Sequence, residues 1–257
     1  MRIRLLATAL LCFATLETTS GVVSSGTEPV PAAAPRLALI DQVVADAIAA
    51  KQVPGAVVVV GRGDRIVYRK AYGHRALSPK PEPMTLDTIF DMASVTKVVA
   101  TTTAVMALVE DGKIRLVDPV ASFIPEFGKY GKDRVTVRHL LTHMSGLRPD
   151  LDLGDPWIGH DEAIRLASEE VLTQAPNTRF VYSDINFFLL AEIVQRVSKM
   201  PFEQFVQQRI FKPLGMTDTG FLPPATKRAR IAPTEPDRKS TRLNSSHSQQ
   251  SRMPSSA

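Results

Sequence analysis

An α+β fold, an antiparallel hairpin among helices, is the class this sequence predicts, and three observations predict it. Leu37, Ile40, Val44 and Ile48 recur at helical spacing near the start of the folded part. Two β-rich runs follow, Ala56 to Val60 and Arg65 to Tyr72, separated by Gly61-Arg62-Gly63-Asp64, and together they read as a hairpin. Beyond them the apolar residues keep the helical period, from Val98 to Val109 and again in three later stretches. With 257 residues, 44% hydrophobic and 22% charged, the chain is long enough for one large domain or two small ones.

Each element has its own signal. The first helix stops at Val53-Pro54-Gly55, because proline and glycine cannot continue it. After the hairpin, Ser78 to Pro83 is a Pro-rich connector, and Thr88-Ile89-Phe90-Asp91-Met92-Ala93 leads into a helix opening at Ser94. Val98, Thr102, Val105, Met106 and Val109 give that helix its apolar face, and Asp111-Gly112 ends it. Such a helix belongs in the interior, where its first turn is held rigidly. Leu116 to Phe127, containing Pro119 and Pro125, reads as a short helix or irregular connector. Arg148 to Asp161 is polar, with Gly and Pro. Asp161 to Thr173, Phe187 to Val197 and Phe202 to Ile210 are three further helices, the last closed by Lys212-Pro213-Leu214-Gly215-Met216.

The chemistry-bearing residues begin at Ser94. Lys97 lies three residues on, so the 3.6-residue period puts a hydroxyl and an amine on one face of the first helical turn. Serine is a poor nucleophile at its own pKa and needs a partner to take its proton. An amine near the positive end of a helix and shielded from water has its neutral form favoured and could help. Ser-x-x-Lys alone is common, and an N-capping serine beside a surface lysine explains it as well. Tyr182-Ser183-Asp184, some ninety residues downstream and followed by an apolar helix, tips the balance, because serine hydrolases of the Ser-x-x-Lys type place a proton-shuttling tyrosine or serine there.

Ser94-Val95-Thr96-Lys97, the segment Val135-Thr136-Val137-Arg138-His139-Leu140-Leu141-Thr142-His143-Met144-Ser145-Gly146-Leu147, and Tyr182-Ser183-Asp184 leading to Pro213-Leu214-Gly215-Met216 occur in that order. In these motifs, from about Leu37 to about Glu235, the chain resembles the beta-lactamase-related serine hydrolases. That group includes class C beta-lactamases, DD-peptidases and beta-lactamase-like esterases. The resemblance implies a beta-lactamase/transpeptidase-like fold, an antiparallel sheet flanked by helices plus a helical subdomain, in which the hairpin forms outer strands and the remaining, C-terminal strands are missing from this chain. It also implies that Ser94 attacks a carbonyl carbon to form an acyl-enzyme, with Lys97 and Tyr182 sharing the proton traffic. The oxyanion would be held by two backbone N–H groups, one of them Ser94's own. The implied ligand is a small-molecule ester, peptide or beta-lactam, with no cofactor and no metal.

Three residues are candidates for contacting that ligand. Asp184 stands where beta-lactamases of this group carry asparagine; an ionised aspartate only accepts hydrogen bonds, and its charge near Lys97 favours the protonated lysine. That substitution weakens the case for beta-lactam hydrolysis and suits an esterase or peptidase. Asn186 is near enough to substitute as a donor, unless a turn of helix points it elsewhere. Trp157 lies in the loop region where the group varies its substrate-facing surface, and either lines the acyl pocket or covers the helical subdomain. His139 and His143 have the spacing of two metal ligands on a helix, but Leu140 stands where a zinc hydrolase of that type needs glutamate. The resemblance assigns the second histidine a structural hydrogen-bonding role instead.

The two ends read differently from the body. Arg2 and Arg4, an apolar run from Leu5 to about Leu16 and small or polar residues through Ser25 have the layout of a secretory signal peptide, with Gly26 to Pro35 as a linker. Export to the periplasm or medium follows from that reading, with no membrane anchor once the signal is cleaved. Cys12, the one cysteine, lies inside this segment. The net charge of +5 resides in the C-terminal stretch, where seven Lys or Arg face two acids from Pro224 onward, so nucleic acid is not an expected partner. The sequence carries no signal of oligomeric state. A third motif of the group, Lys-Thr-Gly or His-x-Gly, is not found after Tyr182, and Gly220 is the last glycine. Residues 237–257 turn to Ser, Arg and Gln without apolar periodicity, a composition suited to disorder. Residues 36–236 are therefore read as a partial hydrolase domain, inactive as it stands. The rival reading is a non-catalytic exported binding protein of the same fold, against which the intact Ser94, Lys97 and Tyr182 argue.

Overall fold

A computed structural model describes residues 37–152 and 158–234. The readings of a signal peptide, a linker and a C-terminal tail, and that of Trp157, fall outside the described residues. Helix α1 (Leu39–Ala49) leads to the hairpin of β1 (Gly55–Arg62) and β2 (Arg65–Ala76), which pair antiparallel from Gly55 opposite Gly73 to Arg62 opposite Arg65. The strands are longer than expected: Gly61 and Arg62 pair, after a register shift at Val60/Gly61, and the turn shrinks to Gly63-Asp64. Gly63 has φ +61°, as the first central residue of such a two-residue turn requires. The connector also departs from expectation, because Glu82–Pro83 forms a short β3 paired with β2 at His74 and Ala76. A proline at the edge of a sheet costs no ladder bond when its missing N–H would face outward.

The core is helical. Helix α2 (Thr103–Glu110), α4 (His160–Glu169), α5 (Asp184–Ser198) and α6 (Phe202–Val206) bury Leu108, Ala163, Leu190, Ile193 and Phe205 in one cluster with Ile114, Phe127 and Leu140 from the connecting segments. No residue of β1 or β2 belongs to that cluster, and α1 has no buried residue. Asp41 of α1 instead accepts hydrogen bonds from Tyr68, Tyr72 and Lys70, three residues on one face of β2. Short helix α3 (Val137–Leu141) opens with a capping box between Thr136 and His139. Two 3₁₀ turns, Val120–Ser122 and Pro125–Gly128, occupy the region read as a short helix or connector. Among the described residues no helix is long and apolar enough to cross a membrane.

The helix after Ser94 buries only part of the face its apolar residues marked, with Val105 in the core and Val109 packed against it. Ala100, Ala104, Val105 and Leu108 are inside, whereas Val98 and Met106 are exposed. The reason is a wide, π-type stretch at Lys97–Thr102 that precedes α2. Its i→i+5 bonding carries more residues per turn than an α-helix, so a face counted at 3.6 residues per turn goes out of phase. Three other boundaries also differ. Helix α4 ends at Glu169, short of Thr173; α5 starts three residues early, at Asp184; and α6 runs into a second wide turn, Gln207–Phe211.

Candidate active site

Ser94 gets its position from the residue before it. Ala93 has φ +41°, in the left-handed region that a residue with a Cβ rarely occupies, and its N–H is held by the Asp91 carboxylate at 2.8 Å. The chain thereby turns from its approach directly into the helix, with the N–H of Lys97 donating to the Ser94 carbonyl at 3.1 Å. Lys97 sits at the opening of the wide turn, where the residue is 5% exposed and its Nζ donates to Ser94 Oγ at 3.1 Å. The hydroxyl and amine expected to share one small space therefore do so.

The second motif comes to the same place. Asp184, the first residue of α5, is buried and forms an ion pair with Lys97, Nζ to Oδ1 2.6 Å. Tyr182 keeps its ring half exposed, with Lys97 Nζ 5.0 Å from the ring centroid. Burial pulls the Lys97 pKa down, but the Asp184 carboxylate and the Tyr182 hydroxyl pull it up by more, and the net direction is upward. Lys97 is thus an ammonium ion. The neutral amine that its helix-start position alone would favour is overruled by the aspartate in the second motif.

The segment carrying Tyr182 is gripped from both sides. On one side the N–H of Val181 donates to the His143 carbonyl at 3.0 Å, and the N–H of Ser183 donates to His143 Nδ1 at 3.0 Å. On the other, Ser183 Oγ donates to the Arg148 carbonyl at 2.6 Å and the Asp184 N–H donates to the Pro149 carbonyl at 2.7 Å. The His143 ring also packs against Tyr182, Phe180 and Phe187, with centroids 4.5 to 5.7 Å apart. Burial, and then the nearby Lys97 charge, push the His143 pKa down, which keeps the imidazole neutral and its Nδ1 free to accept. His139 likewise uses Nδ1 to accept the Thr136 N–H, at 3.2 Å. The two histidines are thus committed to backbone donors on different segments.

Two of the three ligand-contact candidates, Asn186 and Asp184, are buried. Asn186 is fully buried, and its Oδ1 accepts from Ser145 Oγ at 2.7 Å. The helical turn does point it inward. Asp184 turns its carboxylate to Lys97 rather than outward. The glycine of the middle motif also has a reason: Gly146 has φ +87°, and a Cβ there would lie 2.1 Å from the Gln174 carbonyl oxygen. Thr173 donates twice to the Gly146 carbonyl, through its N–H at 2.9 Å and its Oγ1 at 3.0 Å, which fixes that close crossing. Arg148 and its partners went unmarked in the sequence, because a charged residue in a polar loop is indistinguishable there from a solvated one.

Comparison with known proteins agrees with this geometry. The Beta-lactamase family model matches residues 40–253. N-acetylmuramyl-L-alanine amidase of Bacillus subtilis (strain 168) is 32% identical over 207 residues, covering 73% of this chain and 47% of the relative. Among solved structures, EstCE1, a hydrolase with promiscuous acyltransferase activity, superposes with a TM-score of 0.68 at 26% identity, over 76% of this chain and 55% of that one. A class C beta-lactamase superposes with a TM-score of 0.67 at 26% identity, over 75% and 52% of the respective chains. The chain thus spans about half the length of the relatives it matches. With its helical core, its hairpin and the Ser94–Lys97 pair in the place the motifs mark, this chain belongs to the beta-lactamase family of serine hydrolases.

Proposed function

We propose that Ser94 is the nucleophile of an exported hydrolase that passes through an acyl-enzyme on an ester or amide. The Ser94 Oγ–Lys97 Nζ contact carries this reading, since it places a hydroxyl against a buried ammonium ion at the strained start of a helix. Because Lys97 is charged at rest, it cannot itself take the serine proton. Its part is to hold positive charge beside the developing alkoxide, and Tyr182 is the proton shuttle, taking the serine proton on its phenol oxygen as its own hydroxyl proton passes to the leaving group. Asp184 offers no amide donor to a substrate, which favours esters and peptides over beta-lactams. The layout of residues 1–25 supports export.

These 257 residues hold only part of such an enzyme on this reading. They contain no Lys-Thr-Gly or His-x-Gly triad after Tyr182, the motif that the group places on the strand bearing the second oxyanion donor, and they span about half of each relative. The exposed Val59 and Ile66 of the hairpin and the exposed Val95 and Val98 beside Ser94 are surfaces that further strands would cover. Losing one oxyanion donor costs roughly 10²–10³ in kcat. With a chromogenic ester, the purified chain is expected to release at most one equivalent of product per Ser94 and then stop. Sustained turnover that disappears in Ser94→Ala would overturn the inactivity of the chain while leaving the nucleophile in place.

A further inference from the structure

Four segments distant in sequence meet behind Tyr182 through charged groups that no catalytic role accounts for. The Arg148 guanidinium forks onto the Glu170 carboxylate, Nε to Oε2 2.7 Å and Nη2 to Oε1 2.5 Å. The Glu170 carbonyl in turn accepts from Lys132 Nζ, which also donates to the Ser168 carbonyl at 2.8 Å. Lys132 is fully buried, lies against the rings of Phe127 and Tyr130, and closes the C-terminal end of α4 with its two bonds. Glu170 therefore cannot drift, and neither can the arginine clamped to it. Arg148 and Pro149 supply the two carbonyls that hold Ser183 and Asp184, the residues immediately after Tyr182.

We propose that the Arg148–Glu170 pair, footed on Lys132, is the strut that sets the position of the Tyr182 phenol against Ser94 and Lys97. The pair touches no reacting atom, so Arg148 and Glu170 are positioning residues. The tyrosine ring is half exposed, with the His143 ring centroid 4.5 Å and Lys97 Nζ 5.0 Å from its own centroid. Its placement depends on its backbone, and one of the two grips on that backbone leads to this pair. A misplacement of about 1 Å in a proton-transferring group can cost on the order of 100-fold in rate.

The proposal rests on Tyr182 acting as the proton carrier, and its test separates the two ideas. The full chain is reacted with a serine-directed phosphonate, and the rate of Ser94 labelling is measured for Glu170→Gln, Arg148→Met, Tyr182→Phe and the double variants. Glu170→Gln and Arg148→Met are each expected to slow labelling about tenfold or more, and to cause no further slowing in the Tyr182→Phe background. The same factor in both backgrounds would show a merely structural pair and overturn the strut. A second readout needs no reactivity: 3-fluorotyrosine is placed at position 182 and its ¹⁹F resonance is followed through a pH titration. A shifted or split resonance in Glu170→Gln supports the strut, and an unchanged resonance and titration in both strut variants overturns it. If the unmodified chain takes no phosphonate, the functional reading fails and the ¹⁹F result alone decides.

Discussion

Lys97 and Asp184 form a buried ion pair beside Ser94, and their pairing has a cost that can be measured. Both are buried, so removing either leaves the other as an uncompensated charge in a low-dielectric setting. Lys97→Met is expected to destabilise the chain by roughly 3–5 kcal/mol in urea unfolding, and adding Asp184→Leu should recover most of that loss. A single variant as stable as the unmodified chain would mean that the pair is not buried as described. The pH dependence follows from the upward shift on Lys97. Stability from that shift is fully present below the ordinary lysine pKa of about 10.4 and is lost as pH rises through the higher folded value. The aspartate could be read in the sequence as a departure from asparagine, and its effect on the lysine charge followed from that alone. That its carboxylate is buried against Lys97 could not be read, because the direction of a side chain at a helix start is set by what packs behind it.

At the scale of elements, the sequence was clearest where one period ran unbroken. Leu37 to Ile48 marked α1, and Phe187 to Val197 marked the body of α5. It misled where hydrogen bonding changes pitch. Val98 and Met106 fit a face at 3.6 residues per turn, but the wide turn at Lys97–Thr102 breaks the phase and leaves both in the open. Turn residues misled as well, since Gly61 and Arg62 pair within the hairpin despite a composition suited to loops. Lys132 had no signal, because a lysine among polar neighbours reads as exposed. Its burial gives a prediction for the end of α4. Burial lowers its pKa to about 8, although Glu170 and Glu169 act in the opposite direction. The folded state then holds fewer protons than the unfolded chain between about pH 8 and 10.4, so stability rises with pH across that window. A gain of up to about 3 kcal/mol is expected from urea unfolding at a series of pH values. In Lys132→Met the rise should vanish, and its persistence would assign it to another group.

For the whole molecule, what stands out is the contrast between a helical core that closes on itself and a hairpin that does not join it. Leu108, Leu189, Leu190 and Ile193 are completely buried, whereas Leu39, Val43, Val59 and Ile66 of α1 and the hairpin are more than half exposed. Single exposed apolar residues are ordinary on protein surfaces, but a group of them beside an unpaired strand edge favours association. Val59→Lys combined with Ile66→Lys is expected to raise the concentration at which the chain stays monomeric in sedimentation velocity, with little change in the far-ultraviolet spectrum. No shift in self-association would show that this surface is not the adhesive one. The helical half of the fold was legible because it carries its own pattern of burial. The sheet was legible only as a hairpin, since its third strand, Glu82–Pro83, is two residues long and its proline reads as a connector.

The account stands on Ser94 being a nucleophile held ready by Lys97. Intact-mass analysis after incubation with a serine-directed phosphonate, followed by peptide mapping, tests it most directly. One adduct per chain, located on Ser94 and missing from Ser94→Ala, is the result expected. No adduct, or an adduct that survives in Ser94→Ala, would contradict it and favour a binding protein that retains the fold without the chemistry.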